Sequence, residues 1–160
     1  MANIKNVGIA DMKICRAPDS LITYALGSCV GVIIYDPVIK LAGMVHVMLP
    51  DAMSNPPDNI YKYANTGIEE TIKKMQVFGA VRSRLVAKIA GGAKMFEVSG
   101  DSILGTIGKR NIERTIEILR KNQISILGNE TGGTCARTLI FDAERGVAAL
   151  RIAGHGEKVF

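Results

Sequence analysis

The order of apolar and polar residues predicts that strands come first in the chain and helices later. Apolar runs rich in Val, Ile and Leu, bounded by glycine or proline turns, predict four strands at residues 7–14, 21–26, 29–35 and 41–49. Residues 50–59 hold three prolines and two asparagines, which is typical of a loop. Four strands therefore precede the first predicted helix.

Two later segments have the spacing of an amphipathic helix. The first covers residues 63–78 and is followed by Gly79, a residue type that often caps the C-terminus of a helix. The second covers residues 108–122, where isoleucine and leucine side chains share one face. Both segments are long enough to cover one face of a sheet.

Further strand patterns flank these helices. Residues 84–90 and 125–127 predict short strands, and residues 137–142 and 147–152 predict a hairpin. Runs of strands interleaved with two long helices indicate an α/β protein with a mixed sheet rather than a doubly wound βαβ series.

Length and composition indicate one domain that spans residues 1–160. A chain of 160 residues, 48% of them hydrophobic, can bury about 68–70% of the surface of its unfolded form, and no repeat or linker divides it. Its apolar stretches are shorter than the roughly 20 residues of a membrane span. Three cysteines, an odd number, fit a reducing compartment. We therefore expect a cytoplasmic protein with free thiols and no direct membrane insertion.

The net charge of +5 is concentrated in one region of the chain. Residues 61–121 hold twelve Lys and Arg residues against six Asp and Glu, whereas the remainder is nearly neutral. Few aromatic residues accompany these charges and no nucleic-acid-reading motif is present, so nucleic acid is not an expected partner. The basic residues are expected on solvated helix faces, and an acidic protein partner is the alternative.

The segment around Cys29 has the residue types that a cysteine nucleophile needs. Cys29 follows a glycine turn between two apolar strands, and glycine at Gly27 and Gly31 would let the backbone approach a ligand with free N–H groups. His46 lies amid apolar residues of the next strand, where a charged imidazole is costly unless an anion such as a thiolate pairs with it. The hydroxyl of Thr23 could orient that imidazole.

The same residues also have a structural interpretation, which these patterns leave open. A cysteine or histidine in an apolar strand is more often a packed core residue than a catalytic one. Cys15 lacks a glycine context and is interpreted as structural, and His155 lies in a glycine-flanked segment near the C-terminus. Cys135 is a closer rival to Cys29, because it also follows a glycine turn that enters a strand.

No metal or cofactor site is predicted. The chain has no Cys-x-x-Cys pair, so a zinc site is not expected. The turn at Gly91 and Gly92 lacks the spacing of a phosphate-binding loop and is interpreted as structural. Met95 and Phe96 are apolar residues beside this turn and are candidates for a partner-contact patch.

Several short blocks spread along nearly the whole chain are more specific together than any one motif. They are Leu-Gly-Ser-Cys-Val at 26–30, Asp-Pro at 36–37, His-Val-Met-Leu-Pro at 46–50, Lys-Tyr-Ala at 62–64, Lys-Ile-Ala-Gly-Gly-Ala at 88–93, Met-Phe at 95–96, Ile-Gly-Lys-Arg-Asn at 107–111 and Glu-Thr-Gly-Gly at 130–133. In this order they resemble the CheD family, the chemoreceptor glutamine deamidases of bacterial and archaeal chemotaxis. Thr134 departs from the resemblance, since many relatives are expected to have asparagine after Gly-Gly.

The resemblance implies a set of roles and a fold. Cys29 would be the nucleophile, His46 the acid and base, and Thr23 the third member, with the backbone amides of Ser28 and Cys29 stabilising the oxyanion. The implied fold is α/β, with layered mixed β-sheets and flanking helices of the α-β-β-α type, similar to the catalytic domain of a glutamine-deamidating bacterial toxin.

The resemblance also implies a reaction and partners. A thioester on Cys29 would convert receptor glutamines to glutamate with release of ammonia, the reaction of a protein-glutamine glutaminase without a cofactor, and the same chemistry would cleave glutamyl methyl esters. The implied partners are the chemoreceptor cytoplasmic domain, as substrate, and the CheC phosphatase. The alternative is a non-catalytic chemotaxis module that docks receptors and CheC.

Overall fold

Two mixed β-sheets and two α-helices make up the part of the chain that the computed structural model describes, residues 2–95 and 103–160. In chain order the elements are β1 (Ile4–Asn6), β2 (Met12–Arg16), β3 (Ser20–Leu26), β4 (Val30–Asp36), β5 (Leu41–Val47), α1 (Ala64–Val77), β6 (Val86–Gly91), α2 (Ile103–Lys121), β7 (Ser125–Thr131), β8 (Arg137–Asp142), β9 (Val147–Ile152) and β10 (Gly156–Val159). Sheet A has the strand order β1-β3-β8-β9-β10, and sheet B has the order β2-β5-β4-β6-β7. Each sheet contains one parallel pair, β1 with β3 and β6 with β7.

The two sheets pack face to face, and both helices cover the outer face of sheet B. Alternate residues of the central strands separate the two cores: Val32 and Val45 pack with the helices, whereas Ile33 and Met44 pack against sheet A. Strands β4 and β5 are buried at every position, which explains their continuous apolar sequence. The predicted class, layered mixed sheets with flanking helices, is confirmed. Because both described helices lie on one side, the layer order here is α-β-β.

The predicted strand at residues 7–14 is wrong in part. Only residues 12–14 of this range are strand, as the start of β2 in sheet B; β1 of sheet A ends before the range, and a turn at Gly8–Asp11 separates the two strands. The Asp11 carboxylate accepts a hydrogen bond from the Gly8 amide at 3.2 Å, and Ala10 has φ +57°. This side chain-to-backbone bond reverses the chain within an otherwise apolar stretch.

The other predicted elements are confirmed, with shifted ends. Helix α1 matches its predicted range and is followed by Gly79 at φ +103°. Helix α2 begins earlier and strand β7 extends further than their patterns indicate. The edge strands β1 and β10 are exposed at every residue, so no apolar pattern identifies them.

Basic side chains on the helices face solvent, as predicted. Lys73 and Lys74 on α1 and Lys109 and Arg110 on α2 are exposed. Neither helix in the described residues combines the length and apolar character that a membrane span requires.

A buried carboxylate ties the end of β4 to the connection between α1 and β6. The Asp36 side chain has no exposed surface and lies 2.8 Å from the Arg84 guanidinium, whose own side chain is 30% exposed. The amides of Val38 and Val81 also donate to this carboxylate, each at 3.0 Å. Burial raises the pKa of Asp36, but these donors outweigh it and hold the pKa below its ordinary value.

Removing Arg84 should therefore destabilise the fold strongly. We expect Arg84→Met to lower the free energy of unfolding by about 3 kcal/mol, because it leaves a buried carboxylate without its charged partner. The matched control is Arg82→Met in the same turn, whose bond to Asn122 is exposed and should be worth less than about 1 kcal/mol. Urea denaturation measures both values, and equal losses in the two variants would contradict the assignment.

Candidate active site

Cys29 lies where the chain crosses from one sheet to the other. Strand β3 of sheet A ends at Leu26 and β4 of sheet B begins at Val30, so a turn of three residues joins the two sheets. The Cys29 side chain is half-buried and packs against the core between the sheets. The nucleophile predicted from the sequence is therefore at the edge of the sheet interface.

His46 lies on the adjacent strand and faces the same interface. Strands β4 and β5 are antiparallel neighbours, and Gly31 is paired with His46. Cys29 is two residues before Gly31, which makes Cys29 and His46 diagonal neighbours at the end of the ladder. Diagonal neighbours in a regular antiparallel pair lie about 7–8 Å apart. The imidazole has no exposed surface.

Thr23 of sheet A fixes the tautomer of the His46 imidazole. The Thr23 hydroxyl oxygen is 2.7 Å from His46 Nδ1, and the hydroxyl donates to the carbonyl of Val7 at 2.8 Å. Because the hydroxyl has one proton and Val7 accepts it, Thr23 must accept the hydrogen bond from Nδ1–H. Nε2 is then unprotonated, and this buried atom has no partner among the described residues. An imidazole held this way presents a free base on Nε2.

Burial keeps both the thiol and the imidazole neutral in this structure. It lowers the pKa of His46 to about 4 and raises the pKa of Cys29, a rise that the amide N–H of Cys29 itself partly offsets. In this geometry the two groups do not form the thiolate–imidazolium pair that the residue pattern allowed. A nucleophile that starts as a neutral thiol must give its proton to a base as the sulfur attacks.

The turn around Cys29 has its carbonyls bonded and its amides available. The carbonyls of Gly27 and Cys29 accept from the amides of Ala93 and Gly92, at 2.7 and 2.8 Å. Within residues 2–95 and 103–160 the Ser28 amide donates to no acceptor, and the Cys29 amide donates to no residue other than its own sulfur. Free amides beside a nucleophile are what an oxyanion site requires.

Gly91 allows the close approach that holds this turn. It has φ +106°, and a Cβ atom there would lie 2.3 Å from the carbonyl oxygen of Cys29. The predicted role of Gly27 and Gly31 in approaching a ligand is not what the structure shows, because protein side chains occupy the space beside each. Met95 packs over Gly27, and Leu26 and Leu139 pack over Gly31.

The candidate contact residues lie next to the same turn, as far as they are described. Met95 packs on Gly27 and is 43% exposed, so its thioether covers the turn and also faces solvent. Phe96 lies outside the described residues. Their proposed role in partner binding stays a prediction.

The other two cysteines occupy different environments. All three thiols are free. Cys15 is buried, and burial raises its pKa to about 11, which fits the structural role predicted for it. Cys135 is exposed in the loop before β8. In the described residues no group of three His, Cys, Asp or Glu side chains is placed to hold a metal ion.

Asn111 is the buried polar residue of this region to which the sequence assigned no role. It lies on α2 without exposed surface, and its Nδ2 donates to the carbonyls of Ser28 and Met48. Its place in the Ile107–Asn111 block was visible, and so was its alignment with Thr115 and Leu119 on the buried face of the helix. A polar residue on a helix face that is otherwise predicted to be buried is the feature of the sequence that could have indicated a role for Asn111.

Fold and site together define a class of protein: a layered α/β protein with a cysteine turn and an oriented imidazole where its two sheets meet. The family model that describes CheD chemotactic sensory transduction matches residues 48–152. The chain belongs to the CheD family.

Bacterial relatives match the chain over nearly its full length. The protein from Syntrophomonas wolfei is 46% identical over 160 residues, with 99% of each chain covered. Those from Lachnoclostridium phytofermentans and Caldanaerobacter subterraneus are 46% and 44% identical, with 99% and 98% of each chain covered. Each of the three is named a probable chemoreceptor glutamine deamidase CheD. The family-model match begins after Thr23, Cys29 and His46, whereas these full-length relatives cover that region.

Burial of neutral His46 predicts a specific dependence of stability on pH. The unfolded chain gains a proton at this imidazole near pH 6.5, whereas the folded protein gains it only near pH 4. As the pH falls through this window, wild type should lose roughly 2–3 kcal/mol of unfolding free energy that His46→Gln does not lose. Urea denaturation between pH 7.5 and 4.5 measures the difference.

His155→Gln is the matched control for this measurement. His155 is exposed, so its imidazole is in water in the folded protein as in the unfolded chain, and the variant should follow wild type. Parallel curves for wild type and His46→Gln would show that His46 is not held neutral by burial.

Proposed function

We propose that this protein deamidates glutamine side chains of chemoreceptors, with Cys29 as nucleophile and His46 as acid and base. The oriented imidazole carries the proposal, because the Nδ1–H bond to Thr23 leaves a free Nε2 lone pair near a half-buried thiol. The reaction and the substrate come from the names of the full-length relatives.

Acylation of the enzyme would begin with transfer of the Cys29 proton to His46 Nε2 as the sulfur attacks the carbon of the glutamine side-chain amide. The oxygen of the tetrahedral intermediate takes negative charge and accepts hydrogen bonds from the amides of Ser28 and Cys29. His46 then gives the proton to the departing nitrogen. The C–N bond breaks, ammonia leaves, and a thioester joins Cys29 to the substrate.

Deacylation would reverse the proton movements with water in place of the thiol. His46 removes a proton from water as its oxygen attacks the thioester carbon, and the C–S bond breaks. The sulfur leaves as a thiolate and recovers its proton from His46, so the enzyme is restored and the substrate carries glutamate. The methyl ester of glutamate could enter the same cycle with methanol as the leaving group.

Thr23 acts in this proposal as a positioning residue. Its hydroxyl is neutral, so it orients the imidazole without adding the negative charge that would raise the His46 pKa. A base with a pKa near 4 stays ready to accept a proton at every pH above that value.

Several broader expectations accompany this function. The protein would work in the cytoplasm as a single domain, and CheC would be a regulatory partner. The exposed lysines and arginines of α1 and α2 would attract the acidic helices of a receptor bundle. The alternative, a non-catalytic docking module, predicts the same partners without chemistry.

Mass spectrometry of a receptor cytoplasmic fragment tests the function directly. Each glutamine converted to glutamate adds about 1 Da when thioester hydrolysis replaces NH2 by OH. We expect conversion with wild type, none with Cys29→Ala, and a loss of about 10²–10⁴-fold in rate with His46→Ala, because general acid–base catalysis contributes about that much.

Cys135→Ala is the matched control, since it removes the exposed thiol in the loop before β8 and should retain activity. An unchanged fragment mass with wild type would favour the docking module. Activity of Cys29→Ala equal to that of wild type would exclude Cys29 as nucleophile.

A further inference from the structure

Asn111 joins the two parts of the backbone that carry the thiol and the imidazole. Its Nδ2 donates one hydrogen bond to the Ser28 carbonyl and one to the Met48 carbonyl, each at 2.9 Å. Ser28 directly precedes Cys29, and Met48 is two residues after His46. Both protons of the carboxamide are used in these two bonds.

The bonds lie where the ladder between β4 and β5 has ended. Pairing between these strands runs from Asp36 with Leu41 to Val30 with Val47. Beyond that pair the two chains separate, and the Met48 amide turns to bond the Lys62 carbonyl. Asn111 therefore links the two chains just beyond the last ladder pair, next to Cys29 and two residues from His46.

Simple packing does not require an amide at this position. The side chain is wholly buried, and its Oδ1 has no partner among the described residues. An apolar residue of the same shape would avoid the cost of burying that oxygen. The donor pair is thus the feature that distinguishes asparagine from leucine here.

We propose that Asn111 is a positioning residue, which holds the Cys29 turn at a working distance from His46. We call the two hydrogen bonds from Asn111 to Ser28 and Met48 the Asn111 clamp. The effect of this clamp on catalysis rests on the proposed function, whereas its effect on the Cys29 turn does not. Displacing a reacting group by about 1 Å can reduce a rate roughly 10²-fold. Asn111→Leu should therefore lower kcat by about 10²-fold and leave KM within a factor of about two.

A double-mutant cycle on Cys29 alkylation tests the clamp without relying on deamidase activity. Iodoacetamide labelling of Cys29, followed by mass spectrometry of its peptide, is measured in wild type, Asn111→Leu, His46→Gln and the double variant. If Asn111 acts through the spacing of Cys29 and His46, each single change slows alkylation near pH 7 and the double variant is no slower than the slower single variant.

Asn122→Leu, directly after the C-terminal end of α2, is the matched control. Asn122 donates to the Ile118 carbonyl and the Glu69 carboxylate and contacts no part of the Cys29 turn. Its substitution should leave kcat and Cys29 alkylation near the wild-type values. Asn111→Ala, which loses both donors without burying a charge, replaces Asn111→Leu if that variant fails to fold.

Two outcomes would overturn the proposal. One is an effect of Asn111→Leu on alkylation that is the same with and without His46, and the other is no effect at all. Coupling between Asn111 and His46 in a protein that does not deamidate receptor fragments would remove the proposed function and keep the clamp. Deamidation of receptor fragments without coupling between Asn111 and His46 would support the proposed function and exclude the clamp.

Discussion

The hydrogen bond between Thr23 and His46 is the interaction on which the site depends. It crosses from sheet A to sheet B inside a core that water does not reach, and the 2.7 Å contact fixes which nitrogen of the imidazole carries the proton. Because the Thr23 hydroxyl donates to Val7, one tautomer alone satisfies the network. A basic Nε2 follows from this geometry without any charged residue beside it.

The architecture brings the nucleophile to the same place by joining the sheets there. The three-residue turn between β3 and β4 is the crossing point of the two layers, and its carbonyls accept hydrogen bonds from the amides of Gly92 and Ala93 and from the Asn111 side chain. Thr23, Cys29 and His46 are thus near one another because each lies close to the seam between the sheets. Packing of sheet A against sheet B therefore also brings Thr23 and His46 into contact.

Much of the fold was predictable because burial determines the pattern of the central strands. Strands β4 and β5 are apolar along their whole length, and the chain cannot place them anywhere but the interior. Division into two sheets was not predictable, since the strand pattern is the same for either sheet. The turn at Gly8–Asp11 depends on one side-chain hydrogen bond inside an apolar stretch, which periodicity does not show.

The candidate site, like the fold, could be predicted from the sequence only in part. The glycine turn before Cys29 and the histidine in an apolar strand made these two residues candidates, and the family resemblance implied their roles. Their ionisation could not be predicted, because a sequence contains no measure of desolvation and the structure shows an imidazole with no exposed surface. Asn111 escaped notice as a positioning residue because its role depends on two backbone carbonyls, which have no sequence signature.

Nitrogen-15 NMR of the His46 imidazole would show which ring nitrogen carries the proton. We expect that at neutral pH Nδ1 carries it and Nε2 does not, and that the ring stays neutral until the pH approaches about 4. A ring protonated on Nε2 at neutral pH, or one that becomes charged near pH 6.5, would show that Thr23 and burial do not hold the imidazole in this state.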